Sequence, residues 1–151
     1  MKYTIKSGKH YANFTLDRLF PFCGKKLSGR VKLSLNCLHE GEISGWNKLT
    51  GISEIDNHNN SGRLVWMSNG SKIRIAGYVY KNGQRKEKEF ALIDVEKWYD
   101  FKVEFKDMYW RFSIDDNVIF LPGELKGWKF KQFPYFGGRS TAPFTMNIWI
   151  E

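Results

Sequence analysis

Cysteine, long apolar runs and clustered histidines are all scarce in this chain, and each scarcity closes off a class of protein. Only two of the 151 residues are cysteine, Cys23 and Cys37. That is too few for a disulfide framework, and neither has partners at zinc spacing, so both are expected to be plain buried thiols. No segment approaches the roughly 18 consecutive apolar residues of a membrane-spanning helix. The opening Met1-Lys2-Tyr3-Thr4-Ile5-Lys6 has no apolar core of a secretory signal, so an unprocessed cytoplasmic chain with no membrane partner is expected. His10, His39 and His58 lie far apart, none with a second His or Cys close by; no metal or other cofactor is expected. Asp56-Asn57 and Asp115-Asp116-Asn117 carry oxygens of the kind calcium takes, but Asp and Asn are also turn residues, and the turn reading is preferred.

Helical periodicity is missing as well, and strand signals stand in its place. Aromatic residues make up 17% of the chain and are interleaved with Val, Ile and Thr, as in strands. Val31, Leu33 and Leu35 alternate with polar neighbours, as do Phe101, Val103 and Phe105, then Met108, Trp110, Phe112 and Ile114, and finally Phe144, Met146, Ile148 and Ile150. Each set predicts a strand with one dry face, and the last makes the C-terminal run a core strand. Phe101, Val103, Trp110, Phe112 and Ile148 are expected in the core. Asn69-Gly70 and Asn82-Gly83 suit tight hairpins, whose central residues both need positive φ. They join 63–67, 72–80 and 86–95 into a three-stranded meander. Asp115-Asp116-Asn117 is a further turn, into a run 118–121 that Pro122-Gly123 stops. Residues 94–98 make at most one helical turn, and the connections 16–29 and 122–143 are the least regular. With no linker and no repeat, residues 1–151 are predicted to form one all-β domain, an antiparallel two-sheet sandwich.

Three segments, Trp46-Asn47-Lys48-Leu49-Thr50-Gly51-Ile52-Ser53, His58-Asn59-Asn60-Ser61-Gly62-Arg63-Leu64-Val65-Trp66 and Tyr78-Val79-Tyr80-Lys81-Asn82-Gly83, resemble small jelly-roll proteins encoded by Bacteroidetes and their tailed phages. The ending Phe133-Pro134-Tyr135-Phe136-Gly137-Gly138, with Ala142-Pro143 and the last strand, is similar to the closing segment of concanavalin A-like sandwiches, polysaccharide lyases and laminarinase-type glucanases among them. The resemblance implies a concanavalin A-like jelly roll and, through the phage proteins, a place in a virion. Turn and core residues carry it, so it specifies fold better than function.

The catalytic sets of those enzymes are incomplete here. Glucanases of this fold carry Glu-x-Asp-x-x-Glu on one strand, one carboxylate as nucleophile and another as acid. Glu54-Ile55-Asp56 begins that pattern, but Asn59 stands where the last glutamate belongs. The Arg-x-Glu-x-Arg and Gln-x-His strands of an alginate-lyase site are absent. Gly41-Glu42-Ile43-Ser44-Gly45 is a poor nucleophile elbow, and Phe136-Gly137-Gly138-Arg139 lacks the rest of a phosphate loop. No catalytic residue is assigned, and no enzyme is expected.

A formal charge of +8, from 24 Lys and Arg against 16 Asp and Glu, favours an acidic partner. Arg85, Lys86 and Lys88 on the second hairpin, extended by Lys72 and Arg74, form the candidate positive patch. Trp46, Trp128 and Trp149 are candidate anchors, for a sugar ring or for another subunit. Tyr78 and Tyr80 face away from Ile73, Ile75 and Val79 and are candidates for stacking, but nucleic acid is less favoured than a protein surface or a glycan. The expectation is a non-enzymatic binding or assembly module, capsid-associated and docked on other protein subunits. A carbohydrate-binding domain is the alternative, and a degenerate glycan-active enzyme a weaker one.

Overall fold

The computed structural model describes residues 1–40 and 45–151; most of the stretch Gly41-Glu42-Ile43-Ser44-Gly45 thus lies outside the described residues. Period-two alternation produces two antiparallel sheets. Strands β1 (Lys2–Ile5), β11 (Met146–Ile150), β2 (Lys26–Leu33), β7 (Tyr99–Lys106), β8 (Tyr109–Ile114) and β9 (Asn117–Pro122) lie side by side in that order in a six-stranded sheet. The other sheet is five-stranded, in the order β10 (Phe130–Gln132), β3 (Asn47–Ser53), β4 (Ser61–Ser68), β5 (Ile73–Lys81) and β6 (Gln84–Ile93). The C-terminal strand is interior, paired with β1 on one side and β2 on the other.

The core is the interleaving of two inner faces. Leu49, Ile52, Leu64, Trp66, Ile73, Ile75 and Val79 come from the five-stranded sheet. Val31, Leu33, Phe101, Val103, Trp110, Phe112, Met146 and Ile148 come from the other. Two glycines let the sheets close over the largest rings: a Cβ at Gly62 would stand 2.1 Å from Trp110, and one at Gly77 would stand 2.6 Å from Phe112. Any side chain there would displace a buried ring.

The strand pattern fails where the chain leaves a sheet. Leu35 does not continue the alternation of Val31 and Leu33, because β2 ends at Leu33 and a 3-10 turn, Leu35–Cys37, swings Leu35 into solvent. Met108 is exposed too, since Asp107 and Met108 are the two central residues of a tight turn with φ of 52° and 63°. Phe144 precedes its strand and is exposed. The Asn82-Gly83 hairpin has both positive φ angles, 48° and 80°. At Asn69-Gly70 only the glycine does, at 92°; Asn69 Oδ1 instead accepts the N–H groups of Ser71 and Lys72 in a longer link. Residues 94–98 form an irregular reversal with Glu96 at φ 58°. Cys37 is buried, with its thiol pushed up to about 12 by desolvation, whereas Cys23 is exposed because it lies in the irregular connection before β2. Among the described residues no helix is long and apolar enough to cross a membrane.

Candidate functional site

The outer face of the five-stranded sheet concentrates polar and aromatic side chains in register. Gly51, Arg63, Tyr78 and Glu87 form one cross-strand row, and Ser53, Ser61, Tyr80 and Arg85 form the next. Arg63 is the centre. Although it lies on the outer face, it is only 1% exposed, because it folds down over Gly51, where a Cβ would come within 2.7 Å of its Cα and 3.0 Å of its Cγ. Nη2 donates to the Asn57 carbonyl at 2.6 Å and to Ser61 Oγ at 3.0 Å, and Nε donates to Ser61 Oγ at 3.2 Å. The guanidinium also lies 5.4 Å and 5.5 Å from the ring centres of Tyr78 and Tyr80. Burial lowers its pKa and raises that of Tyr78, but a guanidinium keeps its charge in proteins.

Lys48 reaches the same place through an irregularity. A bulge between Lys48 and Thr50 inserts one residue into β3. It turns Lys48 to the outer face while Leu49 and Ile52 stay in the core. Its ammonium lies 4.7 Å from the ring of Tyr135, whose backbone brackets that of Lys48 with hydrogen bonds in both directions. Burial, and then the charge of Arg63, pull the Lys48 pKa down to about 8.

Around this pair runs a cleft of about 530 Å³ whose walls include Trp46, Tyr78, Arg85 and Tyr135. A hollow of about 330 Å³, with Tyr11, Arg18, Lys131 and Gln132, adjoins it across Lys48, His58 and Tyr135. Together they offer the room and the mixture of rings and convergent polar groups that a small-molecule or oligomer site needs.

Few of the residues singled out from sequence meet here. Arg85 does, close to the Tyr78 ring. Lys86 and Lys88 pair with Val79 and Gly77, so they point to the opposite side of β6; the three do not form one patch, because strand alternation splits them. Lys72 is paired with Asp94 at 2.6 Å and Arg74 with Glu89 at 2.7 Å, which takes both out of any free positive surface. The tryptophans are dispersed: Trp46 lines the cleft, Trp128 lies beside Pro21 and Cys23, and Trp149 lies on the outer face of the other sheet under Lys2 and Lys32. Arg63 and Lys48 were not singled out. A lone cation on an alternating strand looks like ordinary solvated surface; only the register with Gly51 and the bulge buries these two.

The carboxylates of the glucanase-like fragment serve the loops. Glu54 accepts the Lys126 backbone N–H and the side-chain amide of Asn60, and Asp56 accepts the His58 N–H. Asp115 likewise accepts the Asp100 N–H. The described residues hold no group of three or more His, Cys, Asp or Glu side chains suited to a metal ion.

No family model matches this chain, and no curated protein matches it. Solved structures do. The catalytic domain of an endo-1,3-beta-glucanase (laminarinase) from Thermotoga petrophila RKU-1 superposes with a TM-score of 0.64 at 12% identity, covering 99% of this chain and 73% of that one. Alginate lyase A1-II', a member of polysaccharide lyase family-7, gives 0.63 at 12%, covering 99% and 76%. Domains LG4-5 of the mouse laminin alpha1 chain give 0.53 at 12%, covering 99% and 41%. The fold is therefore that of the concanavalin A-like jelly rolls. The likeness bears on the fold alone and is silent on a Bacteroidetes or phage source.

Proposed function

We propose that this protein is a carbohydrate-binding module that seats a glycan across the outer face of its five-stranded sheet and does not turn it over. The observation that carries this reading is the composition of the cleft: the rings of Trp46, Tyr78 and Tyr135 stand around the polar heads of Arg63, Lys48 and His58. A sugar ring has an apolar C–H face that packs on aromatic rings and a hydroxyl rim that bonds polar heads, and this wall offers both. The occurrence of the fold in a laminarinase and an alginate lyase supports a glycan over other ligands. The engagement of Glu54 and Asp56 in loop hydrogen bonds supports binding without hydrolysis.

One observation favours a second reading, docking onto protein subunits as in a viral shell. Phe14, Leu16, Leu19 and Phe20 are all exposed on one segment, with Trp128 exposed beside its end, and clustered apolar surface marks contact sites. The cleft ranks first because its polar groups are held in place from beneath. A glycan array followed by calorimetry tests it. Tyr78→Ala and Tyr135→Ala should each weaken binding by about tenfold, a loss of about 1.4 kcal/mol, with no product released. Turnover that Glu54→Gln abolishes would refute the non-enzymatic part, and an array without a hit would refute the whole.

A further inference from the structure

We infer that the bound glycan is acidic, and that one of its carboxylate or sulfate groups docks on Lys48, over the buried charge of Arg63; the inference rests on the carbohydrate reading of the same cleft. Burying a charge is unfavourable unless an opposite charge accompanies it. Here two cations lie together, Arg63 almost fully buried and Lys48 half-buried, with no carboxylate at ion-pair distance among the described residues. The acids that reach the cleft and its rim have other partners: Glu87 lies 3.9 Å from Arg85, Glu89 is paired with Arg74, and Asp17 lies 3.8 Å from Lys131.

Arg63 is anchored by neutral acceptors alone, Ser61 and the Asn57 carbonyl. The Tyr78 and Tyr80 rings offset part of its desolvation through cation–π contact, yet a ring carries no net charge. A neutral glycan would therefore cover Lys48 and leave both cations unpaired, whereas an acidic one supplies the missing counter-charge. The Lys48 ammonium can hold an oxyanion at short, charge-assisted hydrogen bonds, and the Arg63 charge buried beneath adds attraction where little solvent screens it.

The test is an array of acidic and neutral glycans, followed by calorimetry on two matched pairs. The pairs are galacturonate oligomers against their carboxyl-reduced forms, and dextran sulfate against dextran. The inference expects the acidic member of at least one pair to bind tenfold or more tighter than its neutral counterpart, and the better pair shows whether carboxylate or sulfate is preferred. Lys48→Met should erase most of that difference and Arg63→Lys part of it, with circular dichroism confirming the fold of each. A double variant on the opposite side of β6, Lys86→Gln with Lys88→Gln, should change it less than twofold. If that double variant loses as much as Lys48→Met, the attraction is diffuse and the inference falls. Neutral and acidic members binding alike would overturn the inference and leave the carbohydrate reading intact. An array with no hit of either kind overturns both.

Discussion

Both outer faces of this sandwich carry cations over aromatic rings, yet they differ in what surrounds the charge. On the six-stranded sheet Trp149 pairs in register with Lys2 and Lys32. Lys32 lies 4.4 Å from the Trp149 ring and 5.3 Å from Trp98, and Arg30 lies 5.2 Å over Trp98. That ladder is open: the Arg30 side chain is 55% exposed and is paired with Glu151. On the five-stranded sheet the same kind of contact joins Arg63 to Tyr78 and Tyr80, but the cation is buried and no described acid offsets it. Long cationic side chains cover apolar rings on many surfaces while their heads stay in water. The contact alone therefore marks nothing; burial without a counter-charge is what marks a site.

The comparison assumes that one core supports both faces, and the largest expected effect tests that. Phe112 belongs to the six-stranded sheet but fills the space left by Gly77 on the other, so Phe112→Ala should cost about 3–5 kcal/mol in denaturant unfolding. A loss under about 1 kcal/mol would mean that the sheets are not coupled through this ring. Next in size is the contrast between the faces themselves. Arg63→Gln should weaken binding of an acidic oligosaccharide at least tenfold, about 1.4 kcal/mol, while Lys32→Gln should alter it less than twofold. Equal losses would erase the distinction between the buried array and the open one.

Much of the fold was legible because it rests on alternation and turn chemistry. Phe101, Val103, Trp110, Phe112 and Ile148 are all buried as their period-two spacing implies. The Asn82-Gly83 hairpin follows from residues that accept positive φ. Asp107-Met108 adopts the same geometry without a glycine or asparagine, imposed by the pairing of β7 with β8, and so left no local trace. The site was less legible for a related reason. Tyr78, Trp46 and Arg85 stood out as exposed-type residues, but Arg63 becomes buried only through its cross-strand partner Gly51, and Lys48 only through a bulge. Register and bulges belong to pairs of strands, and reading one strand at a time does not reveal them. The same limit explains why Arg85, Lys86 and Lys88 looked like one patch.

A smaller effect concerns pH. The folded pKa of Lys48, about 8, lies below its ordinary 10.5, so between those values the unfolded chain binds the proton more tightly and stability rises with pH. The raised pKa of the buried Cys37 thiol acts oppositely from about pH 9, where unfolding lets it ionise, and those of Tyr3, Tyr78 and Tyr135 join it above about pH 10. The melting temperature should therefore climb between about pH 8 and 9 and level off above that. Lys48→Met should flatten that climb and stabilise the free protein by about 1 kcal/mol near neutrality. Affinity for an acidic glycan should fall over the same interval, as Lys48 loses its charge. A flat melting profile in the parent protein would show that Lys48 is solvated like any surface lysine.

The smallest expected effect comes from the same face as Arg63 and isolates the role of the counter-charge. Arg74 shares that face and also lies over an aromatic ring, 5.4 Å from Trp46. It differs in two respects: its side chain is 36% exposed, and Glu89 accepts from it at 2.7 Å and 3.0 Å and raises its pKa. Solvent screens a pair this open, and holding two long side chains in one geometry has an entropic cost. Arg74→Gln should thus change stability by only about 0.5 kcal/mol, and by less in 1 M salt. Binding of an acidic oligosaccharide should stay within twofold, because removing Arg74 takes away a charge that Glu89 already neutralises. Parallel unfolding and calorimetry on Arg74→Gln and Arg63→Gln decide the point. If the two variants lose binding equally, position on the face rather than an absent counter-charge is what selects the ligand.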